Sequence, residues 1–149
     1  LLDCGFVYAR HTQTRVLVGK VLQRLGRPDE AIRWAQAELS DAFNVNTWSR
    51  IRAGELLGRA HAAQGQHALS HAAFEAAQQL ALSARHLLSE VLVVRGRAIA
   101  AQEAPGDCGG AHWSADVGRQ RLSEVVGRMQ MSEEEGAALL GRLLGARAP

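Results

Sequence analysis

The sequence predicts an all-α fold: an α-solenoid of antiparallel helical hairpins, about seven helices in all. Three observations carry that prediction. Apolar residues recur at three- and four-residue steps through most of the 149 residues. Segments of alternating Val, Ile and Thr, which favour strands, are missing from the chain. One helix–turn–helix stretch, residues 16–37, returns in altered form at residues 55–76, where Gly19 and Gly26 recur as Gly58 and Gly65, each thirty-nine positions on.

Taken in order, residues 1–11 either extend the first helix or end an element lying upstream. From Thr14 the period is helical, with Thr14, Leu17, Val18, Val21, Leu22 and Leu25 expected on one inward face. Gly26 stops this helix, because glycine readily takes the left-handed conformation just past a helix end. Pro28 fits the first turn of the second helix, and Asp29 and Glu30 follow at the positive end of its dipole. That helix is expected to bury Ala31, Ile32, Ala35 and Leu39 and to run toward Phe43. Asn46 or Thr47 caps the third helix, which carries Trp48, Ile51, Leu56, Leu57 and Ala60 to a stop at Gly65.

The fourth helix is expected over residues 66–82, with Leu69, Ala72, Ala73, Ala76, Ala77 and Leu80 for packing. The fifth is placed at about 84–102 with Ser83 as its cap, and is rich in apolar positions from Leu87 to Ile99. The breaker cluster Pro105-Gly106-Asp107-Cys108-Gly109-Gly110 then reads as a loop. A sixth helix follows near 114–129, with Val117, Leu122, Val125, Val126 and Met129 inward. Ser132 and Glu135 match a capping box for a seventh, which carries Leu139, Leu140, Leu143 and Leu144. The organisation is therefore hairpins over 1–104, a glycine-rich loop at 105–112, and C-terminal helices over 113–149 that complete or cap the array.

Composition narrows the function classes. Hydrophobic residues make up 47% and aromatics 5%, which suits helices packed closely over small side chains rather than a disordered chain. The net charge is +2 with both signs mixed along the chain, so the basic run expected of a nucleic-acid binder is missing. No apolar run reaches the length of a membrane span. Cys4 and Cys108 lie far apart, so the reading favours a soluble chain in a reducing compartment. Leu1 in place of Met suggests a fragment or a processed product.

Val18-Gly19, Gly26 and Ala31 in the first copy, with Leu57-Gly58, Gly65, Phe74 and Ala77 in the second, resemble the tetratricopeptide repeat, a helix–turn–helix unit of about 34 residues. The small residue lets the two helices of a pair approach closely. Departures are plain: Leu22 and His61 stand where the first aromatic belongs, and Ala35 replaces the second aromatic in the first copy. Ser70 replaces the usual Ala, and Phe43 and Leu82 stand where Pro would close each repeat. A third, fainter copy is anchored on Gly96, thirty-eight positions after Gly58. The resemblance implies a right-handed superhelix with a concave groove lined by the first helix of each pair.

Overlaying the copies puts Lys20, Arg59 and Arg97 in one column that the resemblance implies faces this groove. Such cations would hold an acidic peptide or a terminal carboxylate by charge-assisted hydrogen bonds. The asparagines of carboxylate-clamping relatives are not at these positions, and the bland alternative is three solvated surface cations. Trp34 falls one place off the inward stripe and is a candidate contact residue. His67 and His71 share metal-like spacing without a carboxylate companion, and Cys108 with His112, even joined by Cys4, falls short of a zinc set. No nucleophile elbow, phosphate-cradling loop or dinucleotide fingerprint is present, so neither enzyme activity nor a cofactor is expected. The expectation is a protein-interaction scaffold or adaptor that binds a protein or peptide partner, possessing no nucleic-acid or membrane-spanning role. Its alternatives are an accessory subunit embedded in a larger complex, suggested by apolar outer positions such as Val93 and Trp34, and the helical sensor region of a longer regulator.

Overall fold

The computed structural model describes residues 4–42, 46–104 and 114–145, with side chains from Thr14 onward. Seven helices follow one another among the described residues: α1 (Cys4–Arg24), α2 (Pro28–Ser40), α3 (Thr47–Ala63), α4 (His67–Ser83), α5 (Leu87–Glu103), α6 (Ala115–Gly127) and α7 (Glu133–Leu143). No strand occurs among them. The glycine-rich loop, Phe43 and Trp113 lie outside the described residues.

Three of the turns share one hydrogen-bond pattern. Past α1, the N–H of Gly26 donates to the Gln23 carbonyl and that of Arg27 to the Leu22 carbonyl. Gly65 and Gln66 repeat this on Ala62 and His61, and Arg85 and His86 repeat it on Leu82 and Ala81. This is the Schellman arrangement, which satisfies the last carbonyls of a helix by turning one residue left-handed. Gly26 and Gly65 do so at φ 73°, and Arg85 does so at φ 50° despite its side chain. The fifth helix is consequently capped by His86, whose Nδ1 accepts from the Ser89 N–H at 3.2 Å, and not by Ser83, which belongs to the end of α4. Asn46 caps α3 by accepting from the Ser49 N–H, Ser114 caps α6, and Ser132 with Glu135 forms the capping box of α7.

Within each of the first two pairs the helices run antiparallel. Arg15 of α1 meets Asp41 near the end of α2 at 2.8 Å, whereas Gly19 lies over Ala31 and Trp34 nearer its start. Likewise Gly54 faces Ala77 and Gly58 faces Phe74. A methyl group at Gly58 would come within 2.7 Å of the Phe74 ring, so the closeness of α3 and α4 depends on that glycine. In the first pair Ala35 replaces the ring, and Leu56 of α3 reaches over Gly19 instead. Beyond the pairs, α1 and α2 both touch α3, α3 and α4 both touch α5, and α5 leads on to α6 and then α7.

The core is three linked clusters. Leu22, Ala31, Ala35, Leu56 and Ala60 join the first hairpin to α3. Ile51, Phe74, Ala77, Ala81 and Val93 join α3, α4 and α5. Val91, Val94, Leu122, Val125 and Val126 join α5 to α6, with the leucines of α7 packed against them. Glu38, Glu55 and Glu90 are buried carboxylates, and the most deeply buried, Glu38, accepts from the Ser49 hydroxyl at 2.6 Å and lies 3.7 Å from Arg15.

Several expected packing positions are corrected. Leu17, Val21 and Leu25 are 61%, 56% and 65% exposed, because α1 buries the narrower face of Val16, Gly19 and Leu22. Leu69 and Leu88 also face solvent, and Ala72 and Ala76 are exposed beside Leu69. Val93, expected at an outer position, is fully buried between α3 and α4, so it lends nothing to an accessory-subunit reading.

Candidate functional site

The contacts of α3 with both α1 and α5 leave a groove of about 720 Å³, lined by one face of each of these three helices and closed at one side by Leu144 and Gly145 after α7. Five cations enter it: Lys20 and Arg24 from α1, Arg52 and Arg59 from α3, and Arg95 from α5. Each pair within a helix follows a helical step, four residues on α1 and seven on α3, which brings both members to one face. Two carboxylates, Glu55 and Glu103, share the lining, so positive charge exceeds negative there by three.

Arg59 lies between these carboxylates, 3.8 Å from each, and its Nε has no hydrogen-bond partner among the described residues. Arg95 donates through Nε to the Leu143 carbonyl, which ties the end of α7 to α5. Arg52 rests over the Trp48 ring at 5.5 Å, a cation–π contact that leaves its charge open to the groove. Lys20, Arg24 and Arg52 have no ion-pair partner among the described residues. Burial pushes the Lys20 ammonium below the ordinary lysine value; Glu55 opposes this, and the neighbouring Arg52, Arg59 and Arg95 add to it. Like charges held this close gain from an anion between them.

The aliphatic lining consists of Ala63, Leu92 and Ile99 with Leu144. The cationic wall therefore has apolar footing, which is the surface chemistry of a site that takes a side chain as well as a charge.

Of the residues singled out from sequence, Lys20 and Arg59 do meet in this groove. Arg97 is not among its lining residues. It is buried, 4% exposed, against α4, where it bonds Glu75 at 3.1 Å and the Nδ1 of His71. The reason is register. Arg52 and Leu92, Glu55 and Arg95, Arg59 and Ile99, and Ala63 and Glu103 all line the groove as pairs forty positions apart. A register of thirty-eight, anchored on Gly96, turns α5 by two residues, about 200°, and sends Arg97 to the opposite side. Gly96 indeed faces Glu55 of α3 rather than the next helix of its own pair.

Trp34 is likewise not a lining residue; it packs its Cβ over Gly19 and is 38% exposed on α2. His71 is occupied by Arg97, and no group of three metal-ligating side chains occurs among the described residues. Cys108 and His112 lie outside those residues, and Cys4 is described only by its place in α1. Arg24, Arg52 and Arg95 were missed. The four-step from Lys20 to Arg24 and the seven-step from Arg52 to Arg59 were legible signals. No described helix is long and apolar enough to cross a membrane.

No protein-family model, curated protein or solved structure matches the chain.

Proposed function

We propose that the chain is a protein-interaction scaffold whose helical hairpins stack as an α-solenoid of the tetratricopeptide type and whose cationic groove holds an acidic segment of a partner protein. The observation that carries this reading is the convergence of five cations from three alternate helices on one groove, three of them without an ion-pair partner among the described residues. Contacts from α1 to α3 to α5, beside those within each pair, are what a stacked array makes. The carboxylates of a bound segment would displace water from Lys20, Arg24 and Arg52 and relieve their mutual repulsion.

The test uses a glutamate-rich peptide labelled for fluorescence anisotropy. Arg52→Glu and Arg24→Glu are expected to weaken its binding roughly tenfold at low salt, with the difference shrinking as salt screens the exposed charges. Arg59→Glu acts in the same direction. Affinity indifferent to all three would remove the groove as the site, and preferential binding of single-stranded nucleic acid would reassign it. Affinity purification with mass spectrometry then identifies the natural partner.

A further inference from the structure

The groove accounts for the cations of α1 but not for its outermost face. Leu17, Val21 and Leu25 form a stripe at four-residue steps, more than half exposed throughout, and Leu17 at one end of it borders Trp48 and Arg52 of α3 in a small pocket. Gly19 marks the side of α1 turned to α2 and α3, since a Cβ there would meet Leu56 of α3 and Trp34 of α2. At about 100° per residue, Leu17 and Val21 each fall about 160° away from Gly19, on the opposite side.

The internal repeat shows what such a face receives. Thirty-nine positions on, Leu17 and Val21 correspond to Leu56 and Ala60 of α3. Those two are 1% and 0% exposed, packed on Leu22, Ala31 and Ala35 of the preceding hairpin. The face that α3 presents to a helical neighbour is thus left bare on α1. Lys20 and Arg24 flank the stripe on its groove side, and the described side chains of α1 include no carboxylate.

We infer that the outer face of α1 docks a helix of a partner protein, amphipathic in character. Its aliphatic side rests on Leu17, Val21 and Leu25, and its acidic flank meets Lys20 and Arg24. A second copy of α1 fits poorly, because its own Lys20 and Arg24 would bring like charge against like. An acidic helix instead satisfies the stripe and the flanking charge together. The inference rests on the groove reading only for the shared cations; the aliphatic stripe is a separate contact.

The experiment compares two peptides of about 18 residues, five helical turns. One carries leucines at four-residue steps with glutamates beside them; the other has the same composition, scrambled so that no apolar face forms. The amphipathic peptide is expected to bind more tightly, and the double variant L17S/V21S to weaken it about tenfold while leaving the scrambled peptide unaffected. R52E weakens both. Both stripe residues are exposed, so helicity by circular dichroism stays at the wild-type level. Equal binding of the two peptides, indifferent to L17S/V21S but sensitive to R52E, overturns the docking face and leaves the groove reading standing. Binding of neither peptide overturns both. A wild-type dimer in sedimentation that L17S/V21S dissociates gives the face to a second copy and overturns the inference.

Discussion

Gly96 of α5 leaves the space into which the Glu55 side chain of α3 is folded: a methyl group at position 96 would collide with Oε1 and stand 2.7 Å from Cγ. Gly58 plays the corresponding part toward the Phe74 ring, with the methyl at 2.7 Å. The two glycines look alike in sequence and differ in what they face. A carboxylate chain at the edge of a groove can swing aside, whereas a ring that is 1% exposed cannot. Gly58→Ala is therefore expected to destabilise by about 1–3 kcal/mol through overpacking, beyond what the better helix former returns. Gly96→Ala is expected to cost less and to push Glu55 toward Arg59 in the groove. Urea denaturation of the two variants measures the order; a larger loss at position 96 would contradict it.

The turn between α4 and α5 carries strain that its counterparts avoid. Arg85 takes the left-handed conformation that Gly26 and Gly65 take without a side chain. Such a conformation costs a residue with a Cβ about 1 kcal/mol, part of which glycine gives back through its greater freedom in the unfolded chain. Arg85→Gly is expected to raise the melting temperature slightly, and Arg85→Val to lower it clearly. Thermal denaturation followed by circular dichroism checks both signs.

Arg97 supplies a pH dependence in place of a groove contact. Burial lowers the affinity of His71 for a proton, and the adjacent Arg97 lowers it further against the weaker pull of Glu75. The guanidinium also donates to Nδ1, a bond that only the neutral ring can accept. The folded pKa lies below the unfolded one, so the unfolded chain takes up the proton first as pH falls. Stability is expected to drop as pH falls from 7 through the ordinary histidine value of 6.5. Glu75 adds a second loss at more acid pH: burial raises its pKa, but hydrogen bonds from Gln79 and Arg97 and the Arg97 charge outweigh that and hold it below the ordinary glutamate value. His71→Gln should flatten the first step. Arg97→Met should move it toward the ordinary value while leaving binding of the glutamate-rich peptide unchanged. A peptide affinity that fell with Arg97→Met would return Arg97 to the groove.

Much of the local structure was legible because its causes are local. Gly26, Pro28 and Gly65 set turns by their own backbone preferences, and Asn46, Ser132 and Glu135 satisfy helix ends within three residues of themselves. Where a turn used a residue without that preference, at Arg85, the boundary was misplaced onto Ser83. The candidate site was legible by halves. Lys20 and Arg59 were found through the spacing of Gly19 and Gly58, and Arg97 was misassigned because Gly96 answers to Glu55 on a different helix.

By itself the sequence determined an all-helical chain, seven helices among the described residues, and tight antiparallel pairing around Gly19 and Gly58. Only the tertiary structure decided which face of each helix is covered. It placed Arg24, Arg52 and Arg95 beside Lys20 and Arg59, buried Val93 and Arg97, and left Leu17, Val21 and Leu25 bare. The physical reason is that helix formation depends on neighbours a few residues away, which the sequence displays. The rotation of one helix against another depends on contacts between distant residues, and a two-residue change in register moves a side chain to the far side of its helix.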